Sequence, residues 1–492
     1  MVTQERKKKF TIDVGIVFVS SIIVLFLHFI QKPIIARYIG ADGLGLFSLT
    51  IKLMWIVEII AGLGIYSAIV KYSSEYAHNN LKLNSLISTA FCIAIISGTI
   101  AGSLVYLSSP TIAIIFGNTE LIDLARIYSL FFPFVFLNSI IVGVFNGLRQ
   151  MKYFAFMRIF LALSTIVFIV VFLLSGLETS GTILGYVLAI GVTSIIGFPL
   201  VRKFFKFSIL NYRKNTKLLV SFGIKIAGTN VLSQLYYSID TLMIGYFLTT
   251  RDVGYYEAAT SLSRFFWFIP NVISIVVYPT VSEHWGKKDT TTISKLLEKS
   301  ISYSMILLIF MGIFVVSLAE RVVLLVYTQE FLPATLPLMI LIIGTLASGS
   351  IRSIHGTFEG IGRPDLTLKI VAIGTLINVL LNFLFIPLYG ISGASIATTL
   401  AFTTYAVLYM YNIKRINLGF NYTSLVRVTI LGLLTYFILF ALKSWNPYVA
   451  LLISLIFGIF IVNKYFIPSE DKYFFKNLIL TNFKRFLKNR LY

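Results

Sequence analysis

Runs of about 20 apolar residues, each long enough to cross the ~30 Å hydrocarbon core of a bilayer, recur along the whole chain. We read fourteen, near 11–36, 44–70, 85–107, 121–146, 154–175, 181–201, 218–248, 253–282, 296–318, 334–358, 366–388, 391–412, 425–442 and 447–466. A water-soluble fold of 492 residues would need polar groups over most of its surface. Only 12% of these residues are charged, against about 25% in soluble proteins. Soluble enzymes, disordered scaffolds and nucleic-acid binders are excluded on that ground. The first run follows Arg6-Lys7-Lys8-Lys9, as a secretory leader would, but it is too long for one. It ends in Gln31-Lys32-Pro33 rather than in small residues, so it is expected to stay as a span. The fold class is therefore all-α and polytopic, with about fourteen transmembrane helices.

Charge placement orients such a chain, because cytoplasmic loops collect Lys and Arg. With the N-terminus inside, the inner segments hold 31 of the 41 basic residues, and the outer ones hold Arg37, Arg251, Arg321 and Lys443. Both termini are then cytoplasmic and the span number is even. The same asymmetry accounts for most of the +21 formal charge without any nucleic acid. The single cysteine, Cys92, lies in an apolar stretch, so neither an intramolecular disulfide nor a thiolate metal site can form.

Six basic residues lie inside the spans: Lys32, Lys52, Arg126, Lys225, Arg264 and Arg352. Their acidic companions are Glu58, Asp240 and Glu257, with Asp13 and Asp123 nearer span ends. A charge at mid-bilayer costs ~2.5–3.5 kcal/mol even on the lenient insertion scale. Several facing lipid would outweigh a typical net stability of ~5–15 kcal/mol, so they must face the bundle interior or a wet cavity. Loops are short on both sides, which leaves no room for an extramembrane catalytic domain. There is no phosphate loop of the GxxxxGK[ST] type. His28, His78, His284 and His355 show no metal-ligand spacing. No enzymatic set of nucleophile, base and orienter emerges.

An internal repeat is the next signal. Arg37-Tyr38-Ile39-Gly40-Ala41-Asp42-Gly43-Leu44-Gly45-Leu46-Phe47 opens the second span. Gly245-Tyr246-Phe247-Leu248-Thr249-Thr250-Arg251-Asp252-Val253-Gly254-Tyr255-Tyr256 opens the eighth. Setting Gly45 on Gly254 gives an offset of 209, and setting Phe145-Asn146-Gly147-Leu148 on Phe358-Glu359-Gly360-Ile361 gives 213. Six spans per half is an even number, so both halves share one orientation and their pseudo-two-fold runs along the membrane normal. The resulting division is an N-terminal lobe over 1–210, a C-terminal lobe over 211–415, two further spans in 416–466 and a cytoplasmic tail over 467–492. That tail has apolar residues at helical spacing beside Lys476, Lys484, Arg485, Lys488 and Arg490, as in a helix lying on the inner interface.

Three stretches resemble a known family: Arg37 through Phe47, Asp240 with Asp252-Val253-Gly254-Tyr255-Tyr256, and Phe358-Glu359-Gly360-Ile361-Gly362-Arg363-Pro364. In order and spacing they look like the polysaccharide-transporter branch of the multidrug/oligosaccharidyl-lipid/polysaccharide exporter superfamily, the Wzx-like flippases. The resemblance implies a V-shaped pair of six-helix lobes with two extra helices. It also implies a cargo of polyprenyl-(pyro)phosphate-linked oligosaccharide, carried from the cytoplasmic to the outer leaflet.

For that cargo Arg264, Arg352, Lys52 and Lys225 are the candidate headgroup donors, since a pyrophosphate is best met by guanidinium or ammonium groups. Arg264 falls near mid-bilayer, Lys52 in the outer third of span two and Lys225 in the inner third of span seven. Arg352, His355 and Glu359 form one stripe, and Ser21, His28 and Lys32 another. Tyr236, Tyr237, Phe265, Phe266 and Trp267 are placed to stack on sugars. Each has a plainer reading beside it. Arg352 and Lys225 snorkel to the interface, Arg264 is neutralised by Glu257 two turns earlier, His28 packs helices, and the aromatics fill core or face lipid. Asp240, Glu58 and Glu257 are the carboxylates for ion coupling or ion pairing. Asp240 is first choice for carrying H⁺ or Na⁺, against a fixed pair with Lys52. No other cofactor is expected, and other polysaccharide-assembly membrane proteins are candidate partners. Two other functions fit a chain of this class: a MATE-type exporter of cationic drugs, and a membrane-embedded glycan polymerase or ligase.

Overall fold

In the computed structural model the described residues are 2–418, isolated positions between 430 and 441, and 447–465. Among them the regular structure is all helical. In order the helices are α1 Val2–Ala61, α2 Ile65–Glu75, α3 Asn80–Phe116, α4 Glu120–Ser129, α5 Phe132–Gly147, α6 Met151–Leu174, α7 Glu178–Arg202, α8 Tyr212–Phe247, α9 Thr250–Phe265 and α10 Phe268–Gly286. They continue as α11 Thr290–Ser317, α12 Ala319–Val326, a 3₁₀ turn Gln329–Ala334, α13 Thr335–Arg352, α14 Thr357–Gly360, α15 Pro364–Arg415 and α16 Pro447–Tyr465.

Two of these helices are too long for one crossing. The apolar part of α1 runs for 50 residues and α15 for 52. At 1.5 Å per residue either spans ~75 Å, more than twice the hydrocarbon thickness. Each breaks where it must turn, at Gly40 (φ +67°) and Gly390 (φ +59°), a conformation that glycine adopts without a Cβ penalty. Each is therefore two predicted spans joined end to end. The fourth and eighth spans are instead bent, by 47° between α4 and α5 and by 48° between α9 and α10. Pro133 and Pro270 stand in the first turn after each bend, where a missing N–H costs nothing. Counted this way, the described residues carry the first twelve expected spans in order, and α16 is the fourteenth. Most of the thirteenth and the 467–492 tail lie outside the described residues.

The helices pack as two compact units. One takes the described residues of Met1–Phe268, Glu320–Thr345 and Arg363–Tyr409, so it draws on both halves of the repeat. The other takes Ile269–Ala319, Leu346–Gly362 and the described residues from Met410 onward.

Within the first unit the repeat becomes a physical contact. A Cβ on Gly45 would fall on the carbonyl oxygen of Thr250, and one on Gly254 would fall on the carbonyl oxygen of Ala41. Ala41 and Thr250 are themselves 209 apart, as Gly45 and Gly254 are. Residue meets equivalent residue reciprocally, the signature of an isologous contact about a two-fold. Only glycine at both positions lets the two backbones come so close. The ends are secured locally: Thr249 and Asp252 form a reciprocal capping box at the start of α9. Thr250 Oγ1 also donates to Asp42 Oδ1 at 3.0 Å. The second echo is a packing contact as well. Gly147 lies against the Val70 carbonyl in the first unit, and Gly360 against the Tyr278 carbonyl in the second. The left-handed turn of this stretch falls two residues on, at Gly362 (φ +78°).

Candidate functional site

Beyond the Gly45–Gly254 crossing, the second arm of α1 and helix α9 line a cavity of about 490 Å³. Its polar lining includes His28 and Lys32 from the first arm of α1, Lys52 from the second arm, Gln234 from α8, and Glu257 and Arg264 from α9. The lining cations Lys32, Lys52 and Arg264 face one lining carboxylate, Glu257; with Asp240, which pairs with Arg264 from behind, the cluster keeps one positive charge in excess.

Glu257 is 1% exposed and holds two of the three cations. Its Oε2 accepts from Lys32 Nζ at 2.5 Å, while its Oε1 accepts from Lys52 Nζ. Thr241 Oγ1 donates to the same Oε1 at 2.6 Å and is itself in contact with Lys52 Nζ. A carboxylate so placed is held by two charges rather than one, which offsets the desolvation of a fully buried ion. Glu257→Gln leaves the buried Lys52 ammonium and the half-buried Lys32 ammonium without their shared counter-charge. Its expected cost is ~3–5 kcal/mol, seen as a lowered melting temperature in detergent. Adding Lys52→Met restores part of that stability; an unchanged melting temperature in Glu257→Gln alone would contradict the role.

Arg264 is bound otherwise. Its Nη1 donates to the Tyr237 carbonyl at 3.1 Å and its Nη2 reaches Asp240 Oδ2 at 3.4 Å. The guanidinium also lies 5.9 Å from the Tyr237 ring centre, 5.7 Å from that of Trp267 and 6.0 Å from that of Phe402. Asp240 does not line the cavity. It sits behind Arg264, where Tyr256 OH donates to Oδ2 at 2.6 Å and the Thr241 N–H to Oδ1 at 2.9 Å. Thr398 Oγ1 stands 3.4 Å from Oδ2, and Asn378 Nδ2 donates to that hydroxyl at 3.3 Å.

These partners correct two expectations. Asp240 pairs with Arg264 rather than with Lys52, and Glu257 pairs with Lys32 and Lys52 rather than with Arg264. The physical reason is helix geometry. Seven residues on one helix separate Glu257 from Arg264 by ~10 Å along the axis, whereas the glycine crossing brings Lys52 directly onto α9. Equal depth in the membrane placed Lys52 beside Asp240 in the sequence reading, but depth says nothing about which helices touch.

The other candidates are placed apart from this cluster. Lys225 is exposed on α8 and does not line the cavity. Arg352 belongs to the second unit, where its Nε donates to Asn271 Oδ1 at 2.7 Å. Glu58 accepts from Tyr128 OH and faces another cavity. Of the aromatics, Tyr237 and Phe265 line the site, and Tyr236 and Trp267 are buried beside Phe402. Lys32 was grouped with a polar stripe and left out of the binding set. Its depth in a span that also carries His28 was the available signal. Thr398 and Asn378 gave none, because a Thr or Asn in a span is common.

Comparison with known proteins follows the same lines. Residues 10–285 match the family model described as "Polysaccharide biosynthesis protein", and residues 226–384 match one described as "MatE". The chain is 26% identical over 472 residues to the "Probable low-salt glycan biosynthesis flippase Agl15" of Haloferax volcanii, covering 94% of this chain and 97% of that protein. It is 23% identical over 269 residues to the "Lipid III flippase" of Escherichia coli, 52% of this chain and 64% of that one. Among solved structures, "Lipid II flippase MurJ, inward closed conformation" superposes with a TM-score of 0.73 at 18% identity, over 95% of this chain and all of the other. At that identity the likeness speaks for the fold.

Proposed function

The chain belongs to the polysaccharide biosynthesis protein family of the multidrug/oligosaccharidyl-lipid/polysaccharide exporters, and from that premise we propose that it flips a polyprenyl-(pyro)phosphate-linked oligosaccharide across its membrane. One observation carries the reading: a cavity among membrane-spanning helices with three cations to one carboxylate, which suits an anionic headgroup. Lys32, Lys52 and Arg264 are its donors, with Arg264 presenting a planar fork to the phosphate. The prenyl tail stays in lipid.

The charge asymmetry of the loops supports placing the 41–45 and 250–254 ends outside and both termini in the cytoplasm, in the cell membrane. The glycine crossing then shuts the outer side, and the headgroup enters from the cytoplasm. Rocking of the two six-span halves, 1–210 and 211–415, parts the crossing and releases the headgroup outside. Moving two negative charges outward is favoured by ~2.3 kcal/mol per charge per 100 mV of inside-negative potential. No bond is made or broken, so no catalytic residue is assigned. A drug exporter of the MATE kind, favoured by the match over 226–384, would need a cavity dominated by carboxylates. Deleting the gene is expected to trap the lipid-linked glycan on the inner leaflet. Normal outward display of that glycan in the deletion strain would sink the proposal.

Asp240 is the proposed coupling carboxylate. When phosphate draws Arg264 forward, Asp240 loses its cation and takes up H⁺ or Na⁺ among Tyr256, Thr398 and Asn378. Asp240→Asn mimics the neutral state. It is expected to fold normally, to turn over more slowly and to lose its dependence on the ion gradient. A merely structural pair predicts instead poorer stability, repaired by also neutralising Arg264. Unchanged gradient dependence in well-expressed Asp240→Asn protein rejects the coupling.

A further inference from the structure

The first unit contains a second cavity, of about 550 Å³, lined by Glu58, Tyr66, Asn138, Ser139, Arg158 and Tyr186 among others. We propose that it is the subsite for the sugar adjoining the phosphate, so that the headgroup is divided between two chambers. This inference rests on the flippase reading above and adds where the glycan sits.

The two chambers share a wall. Tyr186 lines both, and the Trp55 indole N–H, on the cationic side, donates to Tyr186 OH at 3.4 Å. Tyr186 lines the same cavity as Lys32, Lys52 and Arg264, so it is where a molecule bound at those cations meets the second chamber. Their chemistry differs in the sense that a phosphosugar requires. The first chamber carries excess positive charge. The second balances one carboxylate, Glu58, against one guanidinium, Arg158, so it favours neither a free anion nor a free cation. Among the described residues no group of three His, Cys, Asp or Glu side chains is assembled for a metal ion.

The second chamber offers hydrogen-bonding groups of both kinds around an aromatic face. Asn138 Oδ1 is buried and has no hydrogen-bond partner among the described residues, an acceptor waiting for a hydroxyl or amide donor. Glu58 takes one hydrogen bond from Tyr128 OH, and a carboxylate accepts several. Tyr66 OH accepts from Asn146 Nδ2 at 3.2 Å and keeps its own proton to give. Arg158 is anchored through Nη1 to Ser21 Oγ at 3.2 Å, which leaves further N–H groups for a ligand. A neutral, hydroxyl-rich ring is the class of molecule that uses donors, acceptors and an apolar face together. The volume falls within the roughly 300–1,000 Å³ usual for small-molecule sites.

The test compares two synthetic lipids on the purified protein in detergent: a polyprenyl diphosphate, and the same lipid bearing one N-acetylhexosamine. The sugar is expected to tighten binding by about 10-fold, the worth of one or two hydrogen bonds to charged or buried groups. In Asn138→Ala and in Arg158→Gln that increment falls to less than about 2-fold, while the bare lipid binds as to wild type. A sugar increment retained in both variants overturns the subsite and leaves the flippase reading standing. So does a wild type that binds both lipids equally. Loss of both lipids in both variants overturns it too, because the residues then maintain the fold and do not read the sugar. Failure of wild type to bind either lipid overturns the flippase reading and the subsite with it.

Discussion

Arg264→Ala is expected to abolish glycan display while the protein still reaches the membrane in normal amount. Arg264 faces a cavity, its ring-stacked guanidinium is held near a carboxylate at 3.4 Å, and that long contact yields readily to a phosphate. Losing a charge-assisted, two-pronged contact costs ~3 kcal/mol, roughly 100-fold in headgroup affinity. Arg264→Lys keeps the charge and loses the fork, so it should recover only a part of the loss. Quantitative surface staining of the glycan, normalised to membrane-inserted protein, reads both variants. Full display in Arg264→Ala would remove the headgroup role.

Gly254→Leu and Gly45→Leu are expected to have the second large effect, on the conformational cycle rather than on binding. Each glycine lies where a Cβ would occupy the partner backbone's carbonyl. A leucine there cannot be absorbed by a rotamer change, because the obstacle is main chain. Overpacking by one side chain costs ~1–3 kcal/mol, and the state with the crossing apart makes no such clash. That cost shifts the balance between the two states by about 5- to 150-fold. In a background with Cys92→Ser, a cysteine at Ser48 should become reactive to an impermeant maleimide added from outside. Flipping should fall together with the gain in labelling. Wild-type transport with no change in labelling in either glycine variant would show that the crossing does not gate the cavity.

Much of this molecule is legible in its sequence because lipid imposes simple rules. Span lengths, the even count and the loop charges follow from the cost of polar groups in hydrocarbon, and the helices appear where those rules place them. The repeat is legible for a related reason. Glycines recur at near-constant offsets because the same close backbone approach recurs in each half, at Gly45 and Gly254 and again at Gly147 and Gly360. Partner choice among the charges is a different matter. Counted along their spans, Lys52 and Asp240 are expected at similar depth, yet Glu257 takes Lys52 because the crossing sets α9 against α1. Depth can be counted from one span alone, but contact depends on how several spans pack. Asn138 illustrates the same limit from the other side. It is unremarkable along its own helix and gains its proposed role only from what stands across the cavity.

Transfer itself is the most direct thing to measure. Purified protein is reconstituted in liposomes whose polyprenyl-diphosphate-linked oligosaccharide is confined to one leaflet, and a membrane-impermeant lectin reports arrival on the other. Wild type is expected to bring the lipid into lectin reach with time, faster under a potential that draws negative charge across. Arg264→Ala should stay at the level of protein-free vesicles. Wild-type protein that is folded and inserted, yet transfers no more lipid than empty liposomes at any potential, would contradict the account.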